Sequence, residues 1–113
     1  MSKELLSLLG IARRAGKLSL GHDAVVDAVR KESARLIIFA QDLSQNTVED
    51  IRRQAQLVKI QTITILESVE SVGLAIGKRV GVIAVNDDGF AEKMVLLYRR
   101  ESAVEETTNR RDE

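Results

Sequence analysis

Two short segments of the chain combine glycine with positively charged side chains, a combination suited to binding phosphate groups. The first segment covers residues 12–23 and ends one amphipathic helix on a basic tip before opening the next with glycine. The second covers residues 73–79 and pairs two glycines with two cations. Cations beside the free amides of a helix N-terminus attract anions such as a nucleic-acid backbone. The two segments together therefore indicate RNA binding, provided that they lie at the same edge of the fold.

If the Gly21 and Gly77 turns lie at the same edge, basic side chains are expected to converge around the N-terminal amides of the second helix. The alternative is a set of solvated cations that merely complement the negative ends of helix dipoles. The basic candidates for RNA contact are Arg13, Arg14, Lys17, Arg30, Lys31, Lys78 and Arg79.

The residue types that catalysis and metal binding require are scarce. The chain has no cysteine and one histidine, His22, for which a solvated position at a helix start is the favoured interpretation. A phosphate loop is excluded because Gly73 is one residue too close to Gly77 and Arg79 replaces the magnesium-binding hydroxyl. The turn at residues 86–89 lacks the ligand spacing of a calcium loop. We therefore expect a non-enzymatic protein with no catalytic residue, cofactor or metal.

The helices that must position these segments follow from the spacing of apolar residues. Apolar residues at helical spacing predict a first helix over residues 3–15 that ends at Gly16. A second helix begins near residues 21–23, and a capping box of Asn46 and Glu49 predicts the start of a third. A fourth helix starts near Ser68 and stops at Gly77, and the last one follows the turn at residues 86–89.

Three apolar runs between these helices are predicted to be strands. Residues 36–40 and 82–85 are continuously apolar, as in strands buried on both faces, and residues 62–65 alternate with β-branched side chains. Helices that alternate with buried strands predict an α/β fold, a three-layer α/β/α sandwich with a central mixed sheet of about four strands.

Length and charge predict one domain and a tail. Residues 1–100 suffice for a single domain with its own core, whereas residues 101–113 carry five acids against two arginines and are expected to be disordered. The formal charge of the whole chain is zero because an acidic C-terminal segment balances mildly basic residues 1–100. No run approaches the length of a membrane span, and Glu4 is unsuited to a signal peptide, so a cytoplasmic protein without membrane partners is expected.

At these positions the chain resembles the kink-turn-binding ribosomal proteins of the L7Ae/L30e family, most closely its small bacterial members. The resemblance covers about residues 4–98. It rests on the order and spacing of three segments, namely residues 16–23 before the second helix, residues 36–42 at a strand and its exit, and residues 73–78 at the end of the fourth helix.

The resemblance implies a protein that recognises sharply bent RNA linked to the ribosome or translation. In the family a polar side chain at the start of the second helix bonds to guanine, and Asp23 occupies such a position, with Gly21 and His22 beside it. Val80, beside Lys78 and Arg79, corresponds to the apolar residues that the family packs against bases at the bend.

Two positions depart from the archaeal members of the family. Those members carry an acid and a lysine where this chain has Ala24 and Asp27. Ala24 has no side-chain hydrogen bond to offer, and Asp27 repels a phosphate by about 1 kcal/mol in water. These departures motivate the alternative function, a protein-interaction adaptor that keeps the fold with weakened or lost RNA binding. The sequence indicates no particular oligomeric state.

Overall fold

The computed structural model describes the backbone of residues 3–112 and the side chains of residues 4–101. Helices and strands alternate along this part of the chain, as predicted. The elements are α1 (Lys3–Arg14), β1 (Leu18–Leu20), α2 (His22–Arg30), β2 (Leu36–Phe39), α3 (Gln45–Leu57), β3 (Gln61–Thr64), α4 (Val69–Ile76), β4 (Val82–Val85) and α5 (Asp88–Asp112).

The four strands form one mixed sheet in the order β1-β4-β2-β3. β2 and β3 are parallel, while β4 runs antiparallel to both β1 and β2. In this register Phe39 at the end of β2 lies opposite Val82 at the start of β4. The start of β4 therefore shares one edge of the sheet, which we call the upper edge, with the ends of β1, β2 and β3.

Alternate residues of the central strands pack on opposite faces of the sheet, because side chains alternate along a strand. Leu36 and Ile38 join the core beneath α1, α4 and α5, whereas Ile37 and Phe39 join the core beneath α2 and α3. The predicted three-layer α/β/α sandwich is confirmed.

Two details differ from the sequence prediction. Strand β1 was not expected; its three residues are only partly buried and too few to show a clear period, and pairing with β4 holds them extended. Helix α3 begins after Ser44 rather than at a capping box of Asn46 and Glu49, and its N-cap makes no side-chain hydrogen bond.

The C-terminal segment also differs from expectation along its backbone. Helix α5 continues to Asp112, through residues expected to form a disordered tail. Residues 101–112 contain neither glycine nor proline, and their Glu, Arg and Ala residues favour helix. The division into a domain of residues 1–100 and a separate tail remains a prediction. In the described part of the chain, no helix is both long and apolar enough to span a bilayer.

Candidate nucleic-acid interface

The Gly21 turn and the loop that follows α4 meet at the upper edge of the sheet. The Gly21 amide donates a hydrogen bond of 3.0 Å to the carbonyl oxygen of Val82. A Cβ atom placed on Gly21 would lie 3.8 Å from Cγ1 of Val80, in ordinary van der Waals contact. The pairing of β1 with β4 produces this proximity, because it carries the chain from α1 directly to the loop between α4 and β4.

Gly21 has a backbone conformation that residues with a Cβ atom rarely adopt. Its φ of +90° and ψ of 168° lie in a region that glycine alone adopts readily. It is the N-cap of α2 and, having no side chain, gives no capping hydrogen bond to the amides of that first turn. Such amides suit an anionic partner.

The loop between α4 and β4, residues 77–81, lies back along α4. Helix α4 ends at Gly77 in the left-handed conformation, as predicted. A Cβ atom on Gly73 would come within 3.2 Å of Cα of Arg79, so the loop approaches the helix closely because Gly73 has no side chain. The side chains of Lys78 and Arg79 are exposed on this loop, which leads to the Gly21 turn.

The family resemblance implies that Val80 packs against bases, but the structure buries its side chain. It is only 8% exposed and packs in the core beneath α1, α4 and α5. Since it also lies against Gly21, its side chain anchors the loop rather than presenting an apolar contact to solvent.

Arg13 and Arg14 lie at the C-terminal end of α4. The Arg13 guanidinium donates a hydrogen bond of 2.8 Å to the carbonyl oxygen of Ile76, the last residue of α4. Arg14 borders a shallow groove between α1 and α4 that is also lined by Ala75. The structure thereby brings these two arginines to the same helix end from which the loop with Lys78 and Arg79 departs.

His22 connects α2 to α3 through two carboxylates. Its Nδ1 lies 3.1 Å from Oδ1 of Asp23, and its Nε2 lies 3.6 Å from Oδ2 of Asp50 on α3. Hydrogen bonding to Asp23, and further attraction from Asp50, raise the pKa of His22 above 6.5. Sequence reasoning missed Asp50 because only the packing of α2 against α3 brings it close.

Between residues 4 and 101, no three potential metal ligands lie close enough to hold an ion.

Arg30 and Lys31, two of the seven predicted cations, lie away from the Gly21 turn. Arg30 is the last residue of the nine-residue helix α2 and Lys31 follows it, so the helix separates both from Gly21 by about 13 Å. Lys31 forms an ion pair of 3.0 Å with Asp27, whose charge is thereby offset. The Lys17 carbonyl accepts a hydrogen bond from the Asn86 amide, and the Lys17 amide donates one of 3.0 Å to the carbonyl oxygen of Ala12. Lys17 therefore lies at the end of β1 opposite Gly21, beside the end of α1 that carries Arg13 and Arg14.

Comparison with known proteins agrees with this architecture. Residues 3–95 match the ribosomal protein L7Ae/L30e/S12e/Gadd45 family. The RNA-binding protein YlxQ of Bacillus subtilis is 36% identical over 95 residues, which cover 83% of this chain and 94% of that protein. YlxQ of Enterococcus faecium is 30% identical, covering 80% and 87% of the two chains.

A solved structure shows the same fold. A Bacillus halodurans protein of unknown function superposes with a TM-score of 0.81 at 33% identity, covering 88% of this chain and 99% of that one. The chain belongs to the ribosomal protein L7Ae/L30e/S12e/Gadd45 family.

Proposed function

We propose that this protein binds structured, kink-turn-like RNA of the ribosome or the translation machinery in the cytoplasm, without catalysing a reaction. The observation that carries the proposal is the contact of Gly21 with Val80 and Val82, which places the start of α2 beside the loop between α4 and β4. Relatives named RNA-binding proteins and a family that includes ribosomal proteins support it.

The charges at this edge suit two kinds of RNA contact. Arg13, Arg14, Lys78 and Arg79 belong to the end of α1 and the α4–β4 loop, where exposed cations bind phosphates. The uncapped amides of α2 add a site for one further phosphate. Asp23 is fully exposed beside them, and its carboxylate can accept hydrogen bonds from the N–H groups of an unpaired guanine edge.

The aromatic residues favour folded RNA over single strands. Proteins that bind single strands stack bases on exposed aromatic rings. The chain has two phenylalanines, one tyrosine and no tryptophan. Phe39 is fully buried, and Phe90 and Tyr98 pack against the core. A shape-based interaction with bent RNA does not need such rings.

Fluorescence anisotropy with a labelled kink-turn duplex tests the proposal, with an uninterrupted duplex of equal length as the reference RNA. The test variant is Lys78→Gln with Arg79→Gln. The matched control is Arg30→Gln with Lys31→Gln, which removes the same charge at the far end of α2. Each lost phosphate contact lowers the slope of log affinity against log salt by about 0.9, so the test variant should lose about 1 to 2 in slope.

The control variant should bind as the wild type does. Equal losses in both variants would contradict this location of the site. Failure of the wild type to bind either RNA at low salt would reject RNA binding and favour the adaptor function.

A further inference from the structure

Helix α5 carries an exposed stripe that has no ion-pair partner among the side chains of residues 4–101. Ala91, Met94 and Leu97 face the core, whereas Leu96 is 60% exposed. The stripe consists of Glu92, Val95, Leu96 and Arg99, with Val95 partly buried and the two charged residues exposed. Neither Glu92 nor Arg99 forms an ion pair with a side chain in the described part of the protein.

The stripe matches an antiparallel copy of itself in both charge and apolar character. The stripe is symmetric about the midpoint between Val95 and Leu96. If a second copy of α5 runs antiparallel along it, Glu92 faces the partner's Arg99, and Leu96 faces the partner's Val95. A twofold interface requires this self-complementarity, because each residue contacts the same surface on the other subunit.

The edge of the sheet beside α5 suits the same arrangement. Arg35, which precedes β2, forms an ion pair of 3.4 Å with Asp88. Helix α5 therefore starts where β2 begins, at the end of the sheet opposite the Gly21 turn. From there it passes over the core, and its exposed side shares a groove with Gln61 at the start of β3. Strand β3 is an edge strand without the lysine or proline that protects many edges from pairing.

We infer that two copies of this chain associate as a symmetric antiparallel dimer through the α5 stripe, with the free edges of β3 brought alongside each other. A second copy is the expected partner because the charges of the stripe are complementary to those of an antiparallel copy. Strand β1, which leads to Gly21, lies at the other end of the sheet, and α2 lies on the opposite face. The dimer therefore leaves both upper edges open and presents two RNA-binding sites.

Charge reversal tests this inference by sedimentation velocity over a concentration series. Glu92→Arg places two arginines opposite each other in a homodimer, and Arg99→Glu places two glutamates opposite each other. Each variant alone should dimerise about tenfold more weakly than wild type. Mixed together, the two variants restore both attractive pairs, so the mixture should form heterodimers at wild-type strength. Circular dichroism confirms that each variant is folded.

A cross-linking experiment provides a second readout, because the chain contains no cysteine. Leu96→Cys should form an intermolecular disulfide under mild oxidation. Leu74→Cys is the matched control, since Leu74 is 83% exposed but lies on α4. A wild type that stays monomeric at every concentration, a variant mixture that stays monomeric, or equal cross-linking at both cysteines would overturn the inference.

Discussion

The amide of Gly21 donates to the carbonyl oxygen of Val82 at 3.0 Å, one residue beyond the last pair of β1 and β4. This hydrogen bond continues the strand pairing to the residue at which α2 begins. It therefore sets the position of the α2 amides relative to the α4–β4 loop, although about sixty residues of sequence separate the two segments.

Gly21→Ala should destabilise the protein. A side chain at a φ of +90° and ψ of 168° is strained, and such strain costs about 1–3 kcal/mol. Chemical denaturation measures the change in the free energy of unfolding. Gly89→Ala is the control, because Gly89 lies within α5 without a positive φ and should alter stability by about 1 kcal/mol at most. Equal stability of Gly21→Ala and wild type would contradict the described turn.

Arg13→Ala should loosen the end of α4. The lost hydrogen bond to Ile76 contributes about 0.5–1.5 kcal/mol, and the loop that follows loses its tether to α1. Amide hydrogen exchange should become faster in residues 77–81. Arg14→Ala serves as the comparison, because no hydrogen bond joins Arg14 to that carbonyl. Unchanged exchange in Arg13→Ala would show that this contact does not hold the loop.

Asp23→Ala should weaken binding to kink-turn RNA while leaving its salt dependence unchanged. A good pair of hydrogen bonds to a base contributes about 1–3 kcal/mol of discrimination, whereas salt dependence reports phosphate contacts. Asp23→Asn retains an acceptor oxygen and should lose less affinity. Anisotropy titrations at several salt concentrations measure both quantities. If the alanine variant bound as tightly as wild type, Asp23 would have no part in base recognition.

The pH dependence of stability should carry a contribution from His22. Asp23, and to a lesser degree Asp50, raise its pKa in the folded protein above 6.5. A raised pKa means that the folded state binds the proton more tightly than the unfolded state does. The contribution is therefore complete below pH 6.5 and is lost as pH rises through the folded pKa.

Nuclear magnetic resonance can follow this titration without assignment ambiguity, since His22 is the only histidine. Asp50→Asn should lower the pKa of His22 towards its ordinary value but leave it raised by Asp23. Asp23→Asn should lower it further. A His22 pKa that neither substitution changes would contradict the two contacts.

Most helices and strands could be predicted because the spacing of apolar residues that marks them depends on residues close together in the sequence. Helical spacing located α1 to within a residue of its end, and the buried apolar run at residues 82–85 coincides with β4. Strand β1 lacked such a signal, since three half-buried residues become a strand only through a distant partner. The cap of α3 was misplaced because Asn46 and Glu49 match a capping box whose hydrogen bonds do not form there.

The candidate site was only partly predictable for the same reason. The Gly21 turn and the loop with Lys78 and Arg79 were recognised as separate segments, and their meeting depends on the pairing of β1 with β4. Arg30 and Lys31 were grouped with them on charge alone. The length of α2 carries both residues to the opposite edge, a separation that composition does not reveal.

Backbone amide shifts measured while the labelled protein is titrated with kink-turn RNA test the location of the site most directly. We predict that the largest changes occur at residues 21–24 and 77–82, with little change at residues 30–32. Changes centred on residues 30–32, or spread evenly over the surface, would contradict the account that the upper edge of the sheet binds RNA.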